Sequence, residues 1–239
     1  MRSFSFNGII KPYIYVEEKS NRPPWAPVTR GYQQVPGRPG AHLIKKTKVE
    51  PRPLPIPVYF KAESIADLQK MKEELAAWLI HDDPKPLVFD DEPDRTYYAI
   101  VDGSFDVEEF VRTGKGTIPF ICPDPYKYGE EKTVPINSGG RIVNNGTVDT
   151  NPVLTITFTA ATNNFEITCG SKMVRVIYNF IKNDVLTIDM DKRKVLINNV
   201  VNMTAYAWDS QPFSLTPGNN TLTFTAGVDA KVTYRERWK

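Results

Sequence analysis

The chain has 239 residues, 41% hydrophobic and 24% charged, enough for one large domain or two ordinary ones with a core that needs no disulfide staples. Its 30 Lys and Arg against 28 Asp and Glu, a formal net charge of +2, argue against a dedicated nucleic-acid binder, whose affinity rests on an excess of cations. Residues 1–8 carry no apolar segment of a signal peptide and no apolar run reaches transmembrane length, so a protein made in the cytoplasm, without membrane insertion, is expected.

Half of the 20 prolines fall between Pro12 and Pro57, including Pro23, Pro24, Pro36, Pro39 and the alternating Pro51, Pro53, Pro55 and Pro57. Proline cannot donate to a β-ladder, which disfavours a central strand here. Extended arms and edge strands are predicted instead, with a tight turn at Pro36-Gly37-Arg38-Pro39-Gly40. Such a segment either lies across neighbouring subunits or is an irregular surface loop of one domain.

A single helix is predicted from about Ser64 to Ile80. Ser64 suits the N-cap, with Asp67 three residues on as its reciprocal partner. Ile65, Leu68, Met71, Leu75, Trp78 and Leu79 recur at three- and four-residue steps and form one apolar stripe. Pro84 and Pro86 stop the helix. Strands are predicted at 86–90, 95–102 and up to Cys122. Residues 123–132 read as punctuation followed by a polar run, which places a domain boundary near residue 132.

Beyond it, short apolar or alternating runs at 153–158, 164–169, 174–180, 185–190, 195–200, 213–215, 220–224 and 231–235 are separated by turn signals such as Asn183-Asp184 and Pro217-Gly218-Asn219. About eight strands at this spacing indicate an antiparallel sandwich.

Chemistry-bearing residues are sparse. His42 and His81 are the only histidines, which leaves few parts for a catalytic triad or a His-rich metal site. Asp90-Asp91-Glu92-Pro93-Asp94-Arg95 lacks cation-loop spacing and reads as an acidic turn between two strands, with Arg95 in an ion pair. Asp189 and Asp191 read as a turn. Gly114-Lys115-Gly116-Thr117 lacks the full phosphate-loop spacing and leads into a strand. Arg38, Lys45, Lys46, Lys48 and Arg52 read as a solvated arm or subunit contact. Three Asn-X-Thr matches are chance matches in turn-rich sequence. Cys122 and Cys169 read as buried free thiols. Tyr206, Trp208 and Phe213 could stack on sugars, but core packing is the favoured reading. No catalytic, cofactor-binding or metal-binding residue is assigned, and no enzyme is expected.

The order of motifs resembles the distal tail protein (Dit) family of phages with long non-contractile tails. In the N-terminal half it is carried by Phe6-Asn7-Gly8, the Pro36–Gly40 turn, the helix end Glu73-Glu74-Leu75-Ala76-Ala77-Trp78-Leu79, Asp91-Glu92-Pro93-Asp94-Arg95-Thr96-Tyr97-Tyr98-Ala99, Gly116-Thr117-Ile118-Pro119-Phe120 and Asp124-Pro125-Tyr126-Lys127-Tyr128-Gly129. Val185-Leu186-Thr187-Ile188-Asp189, Val195-Leu196-Ile197-Asn198-Asn199 and Leu215-Thr216-Pro217-Gly218-Asn219-Asn220 extend it. The sequence departs from the family pattern where Asn183-Asp184 replaces Gly-Asp and Asn198-Asn199 replaces Asn-Gly, but Asn tolerates positive φ.

The resemblance implies a mainly β protein of two domains. Residues 1–132 would be a ring-forming β-sandwich with one helix and a projecting arm or hairpin. Residues 133–239 would be an outer galectin-like or carbohydrate-module-like antiparallel sandwich. It further implies a homo-hexameric ring at the virion tail tip, joining the tail tube protein to a tail-associated fibre or lysin protein and, in many members, to receptor-binding proteins. A carbohydrate-binding module for host cell-wall polysaccharide is the alternative, since fold does not fix function.

Overall fold

A computed structural model describes residues 3–17, 22–44, 47–105, 107–110, 113–137, 140–225 and 227–239. The chain is mainly β, and it divides into two compact units, Met1–Tyr128 with Lys239, and Gly129–Trp238.

In the first unit the strands are β1 (Phe4–Phe6), β2 (Ile14–Val16), β3 (Val28–Thr29), β4 (Tyr32–Gln33), β5 (His42–Leu43), β6 (Lys48–Val49), β7 (Arg52–Lys61), β8 (Lys85–Phe89), β9 (Glu92–Val101), β10 (Val107–Phe110) and β11 (Thr113–Cys122), with helix α1 (Ile65–Leu79) between β7 and β8. The main sheet runs β2-β7-β11-β9; β10 pairs with β11, β8 with β9 and β1 with β8.

The proline-rich strand is where the sequence expectation fails. β7 pairs with β11 along its whole length, with Pro53, Pro55 and Pro57 opposite Ile121, Pro119 and Thr117. It is central at its end, where β2 covers Val58–Phe60 on the other side. The alternation explains the tolerance. In an antiparallel strand, successive residues turn their backbone groups to opposite edges. The Pro57 carbonyl accepts from the Glu17 N–H on the β2 side, so the prolines turn their donorless nitrogens away from β11. Leu54, Ile56, Val58 and Phe60 point into the core. An edge rule was obeyed inside a strand that is half central.

Helix α1 begins as expected. The Ser64 hydroxyl accepts from the Asp67 N–H at 3.1 Å and donates to the Asp67 carboxylate at 2.7 Å. Its buried face is Leu68, Leu75, Trp78 and Leu79. Ile65 is 62% exposed, so the stripe covers the core over a shorter length than the periodicity implied. Trp78 stacks on Phe4 at 5.7 Å, and its indole N–H donates to the Phe6 carbonyl at 3.1 Å.

Strand β12 (Lys127–Asn137) occupies much of the segment read as punctuation and polar run. The second unit continues with β13 (Gly140–Asn144), β14 (Val153–Phe158), β15 (Thr162–Cys169), β16 (Lys172–Phe180), β17 (Val185–Asp189), β18 (Lys194–Ile197), β19 (Val200–Val201), a 3-10 turn at Met203–Ala205, β20 (Gly218–Phe224) and β21 (Val228–Trp238). One sheet has the order β19-β18-β17-β14-β21-β12 and the other β13-β20-β15-β16. Alternate residues of both close on one core, as in sandwiches generally. Leu154, Ile156 and Phe158 meet Phe165, Ile167, Val174 and Val176, and Phe158 stacks on Phe180.

The 213–215 run is buried but forms only an isolated bridge, Leu215 to Thr150. The Asn-rich turns behave as expected: Asn183, Asn198 and Asn199 have φ of 73°, 50° and 65°. The last two form consecutive left-handed positions, which match the twist of the flanking strands.

Glu236 on β21 is buried. Its carboxylate accepts from the Asn145 backbone and side-chain N–H groups at 3.0 and 2.9 Å and pairs with Lys132 at 2.8 Å. Burial by itself would raise its pKa, but Lys132 and the Asn145 donors outweigh it and hold the carboxyl below its usual value. A depressed folded pKa stabilises above the unfolded value and is lost as pH falls through the folded one. The C-terminal unit should therefore lose stability as pH drops below the usual glutamate pKa of about 4.3. Glu236→Gln should remove this part of the slope and lower stability at neutral pH by about 1.5–3 kcal/mol. Urea unfolding across this range checks it; parallel acid losses in variant and wild type would refute it.

Candidate assembly surfaces

The Pro36–Gly40 turn is the tip of a two-stranded ribbon. Val28 pairs with Val49, Thr29 with Lys48, Tyr32 with Leu43 and Gln33 with His42. The Glu50 N–H donates to the Pro27 carbonyl, the Ile44 N–H to that of Gly31, and at the tip the Arg38 N–H to that of Val35. Gly37 and Gly40 take φ of 76° and 86°, which an L side chain would strain. Tyr32, Leu43 and Ile44 all lie exposed on the ribbon. An isolated two-stranded hairpin is marginal in water, and this one shows apolar side chains to solvent.

Arg22 precedes the ribbon, stacking on Phe89 at 4.2 Å and pairing with Asp91. Of the acidic segment only Asp90 and Asp91 form the turn, and Glu92 to Arg95 open strand β9. Glu92 accepts from Tyr97 and Lys127 at 2.9 and 2.6 Å, and Arg95 pairs with Asp94 at 2.6 Å. No group of three metal-capable residues is found among the described residues. The two histidines lie on different elements: His42 is on the ribbon, while His81 follows α1 with its ring 5.8 Å from Phe6.

The Gly114–Thr117 segment is regular strand. A Cβ at Gly114 would fall 2.3 Å from the Phe60 ring, so packing against that ring accounts for the glycine. Lys115 pairs with Glu17 at 2.8 Å. Asp189 accepts from the N–H groups of Asp191 and Lys192, an Asx turn. Both cysteines are free; burial pushes the Cys122 thiol up to about 12 and also raises Cys169. Cys122 is buried as read, but Cys169 is only half-buried, which corrects the reading of two buried thiols.

Two sequence readings need correction. Lys45 and Lys46 lie outside the described residues, but Arg52 of the same basic stretch is buried in β7 and not part of a solvated arm. Phe213 is core and Tyr206 half-buried, yet Trp208 between them is 97% exposed, against the expectation of core packing. Arg175, which joins Glu166 and Asp209 at 3.1 and 3.2 Å, lies near this stretch, since the Ala207 N–H donates to its carbonyl.

A two-unit β architecture with an apolar ribbon, and with its acidic segment tied up in structural pairs, describes an assembly component. Residues 10–122 match the phage tail protein RIFT-related domain and residues 145–238 the C-terminal domain of the siphovirus-type tail component. The distal tail protein of Bacillus phage SPP1 is 31% identical over 216 residues, covering 87% of this chain and 85% of that protein. The crystal structure of SPP1 Dit (gp 19.1), described as a paradigm of the hub adsorption apparatus in phages infecting Gram-positive bacteria, superposes with a TM-score of 0.90 at 22% identity, covering both chains fully. The chain belongs to the siphovirus distal tail protein family, and its role is structural, in the phage tail.

Proposed function

We propose that six copies close into a ring at the tail tip, joining the tail tube protein to a tail-associated fibre or lysin protein, with receptor-binding proteins as further partners. The N-terminal unit forms the ring and the C-terminal sandwich faces outward. The observation that carries this reading is the ribbon, whose exposed Tyr32, Leu43 and Ile44 gain shelter by lying on a neighbouring copy. A closed ring requires this contact to be heterologous, one surface on another, with a rotation that closes. The reading assigns the chain no catalytic activity, and places its synthesis in the host cytoplasm before assembly.

Negative-stain imaging of assembled tails and light scattering of the purified protein test it. A six-fold ring is expected. A protein that stays monomeric at high concentration, with no ring in the tails, would refute it.

Trp208 favours a second reading, in which the C-terminal sandwich binds host-wall polysaccharide. A fully exposed indole is a common stacking platform. Calorimetric titration with wall polysaccharide distinguishes the two: binding lost in Trp208→Ala with the fold intact supports sugar recognition, and no binding by wild type removes it.

A further inference from the structure

Arg52 opens β7 opposite Cys122, the last residue of β11, and its side chain is only 1% exposed. Its guanidinium lies 5.8 Å from the Tyr97 ring centroid. None of Nε, Nη1 and Nη2 has a hydrogen-bond partner among the described residues. The acids whose charge reaches the same neighbours are engaged elsewhere. Glu92 accepts from Tyr97 and Lys127, and Asp124 from the Tyr126 N–H and the Tyr128 hydroxyl.

A buried lysine can shed its proton; a guanidinium keeps its charge across the whole working range of pH. A buried charge is tolerated only when paired and hydrogen-bonded. Arg52 also forms part of the wall of a cavity of about 230 Å³, together with Trp25, Val28, Arg30, Val49 and Lys239. Arg30 adds a second cationic side chain to the wall, and no acidic side chain is among the lining residues. The planar fork of arginine matches a carboxylate or phosphate through two parallel hydrogen bonds.

We propose that this cavity is a socket for one oxyanion, carboxylate or phosphate, which completes the hydrogen bonding of Arg52 with Arg30 beside it. Val28 of β3 and Val49 of β6 stand in the wall, so filling the socket also fixes the root of the ribbon. The oxyanion is either a free ion or an acidic side chain of a second copy of this chain. The inference rests on Arg52 and the cavity, and stands whether or not the ring closes as six.

The test compares full-length wild type with Arg52→Met. Thermal unfolding is followed with inorganic phosphate or acetate against chloride at equal ionic strength, and self-association is measured by light scattering over a concentration series. A free ion as occupant gives a saturating rise in wild-type Tm of about 4 °C or more that Arg52→Met lacks. General salting effects are common to both proteins and cancel. An acidic side chain as occupant gives little ion response but self-association at least about tenfold weaker in Arg52→Met. Either outcome supports the socket. Identical ion responses together with identical self-association overturn it. Should Arg52→Met fail to fold, Arg52→Lys replaces it, keeping the charge without the fork. A Lys variant equal to wild type in both measurements would likewise overturn the proposal.

Discussion

Trp78→Ala should destabilise the N-terminal unit by about 3–5 kcal/mol, the range for emptying a large aromatic site in a core. Trp78 is buried against Phe4 and Phe6, with ring centroids at 5.7 and 6.0 Å, and it is the contact that fastens α1 to β1. Truncation leaves a cavity between helix and strand. It also removes the indole N–H that satisfies the Phe6 carbonyl at 3.1 Å, and an orphaned buried acceptor adds to the cost. Trp78→Phe keeps most of the volume and loses the donor, so it should fall well short of the Ala variant. Hydrogen exchange under increasing denaturant reads the effect by region. Peptides from β7 should lose protection early in Trp78→Ala, whereas those from β14 should not. A loss below about 1 kcal/mol, the level of an ordinary surface change, would mean that α1 is held by other contacts.

Gly146→Ala should be the most damaging single-methyl change in the C-terminal unit. Gly146 sits where the chain leaves β13 and runs beside β21. Its N–H donates to the Asn144 side chain at 2.9 Å, while Thr147 and Val148 donate to the Arg237 carbonyl at 2.9 and 3.2 Å. A Cβ placed there would lie 2.4 Å from the Arg237 carbonyl oxygen and 2.8 Å from its nitrogen. Backbone cannot move aside as a side chain can, so the added methyl must part the two segments and break their hydrogen bonds. The expected loss is about 3 kcal/mol, the upper end for overpacking.

Gly114→Ala provides the contrast. Its obstacle is the Phe60 ring, which can shift, so the cost there should be smaller despite a closer nominal approach. Urea unfolding of the two variants gives the order. A milder effect at Gly146 than at Gly114 would show that the β13 exit can move away from β21.

The alternation of Val153–Phe158, the three- and four-residue recurrence along α1 and its Ser64 cap are local facts. Each was legible because side-chain direction in a strand or helix follows from the backbone repeat alone. The Asn turns were legible for the same reason: a short polar side chain that tolerates positive φ is a property of one residue. The order of weak motifs along the chain also sufficed to indicate the family, which the relatives then showed.

Which face finds a partner is another matter. The alternating prolines of β7 looked incompatible with a central strand, and only the position of β11 on one edge and of β2 at one end reconciles them. β12 was hidden because its alternation is polar and charged, as in Glu130, Glu131 and Lys132. Trp208 and Arg52 reversed the usual habits of their residue types, the indole in solvent and the guanidinium in the core. Sequence determined the periods, the caps and the turns, because these depend on neighbours within a few residues. The tertiary structure alone decided edge against centre and buried against bare, because those are set by what packs on the element from residues far along the chain.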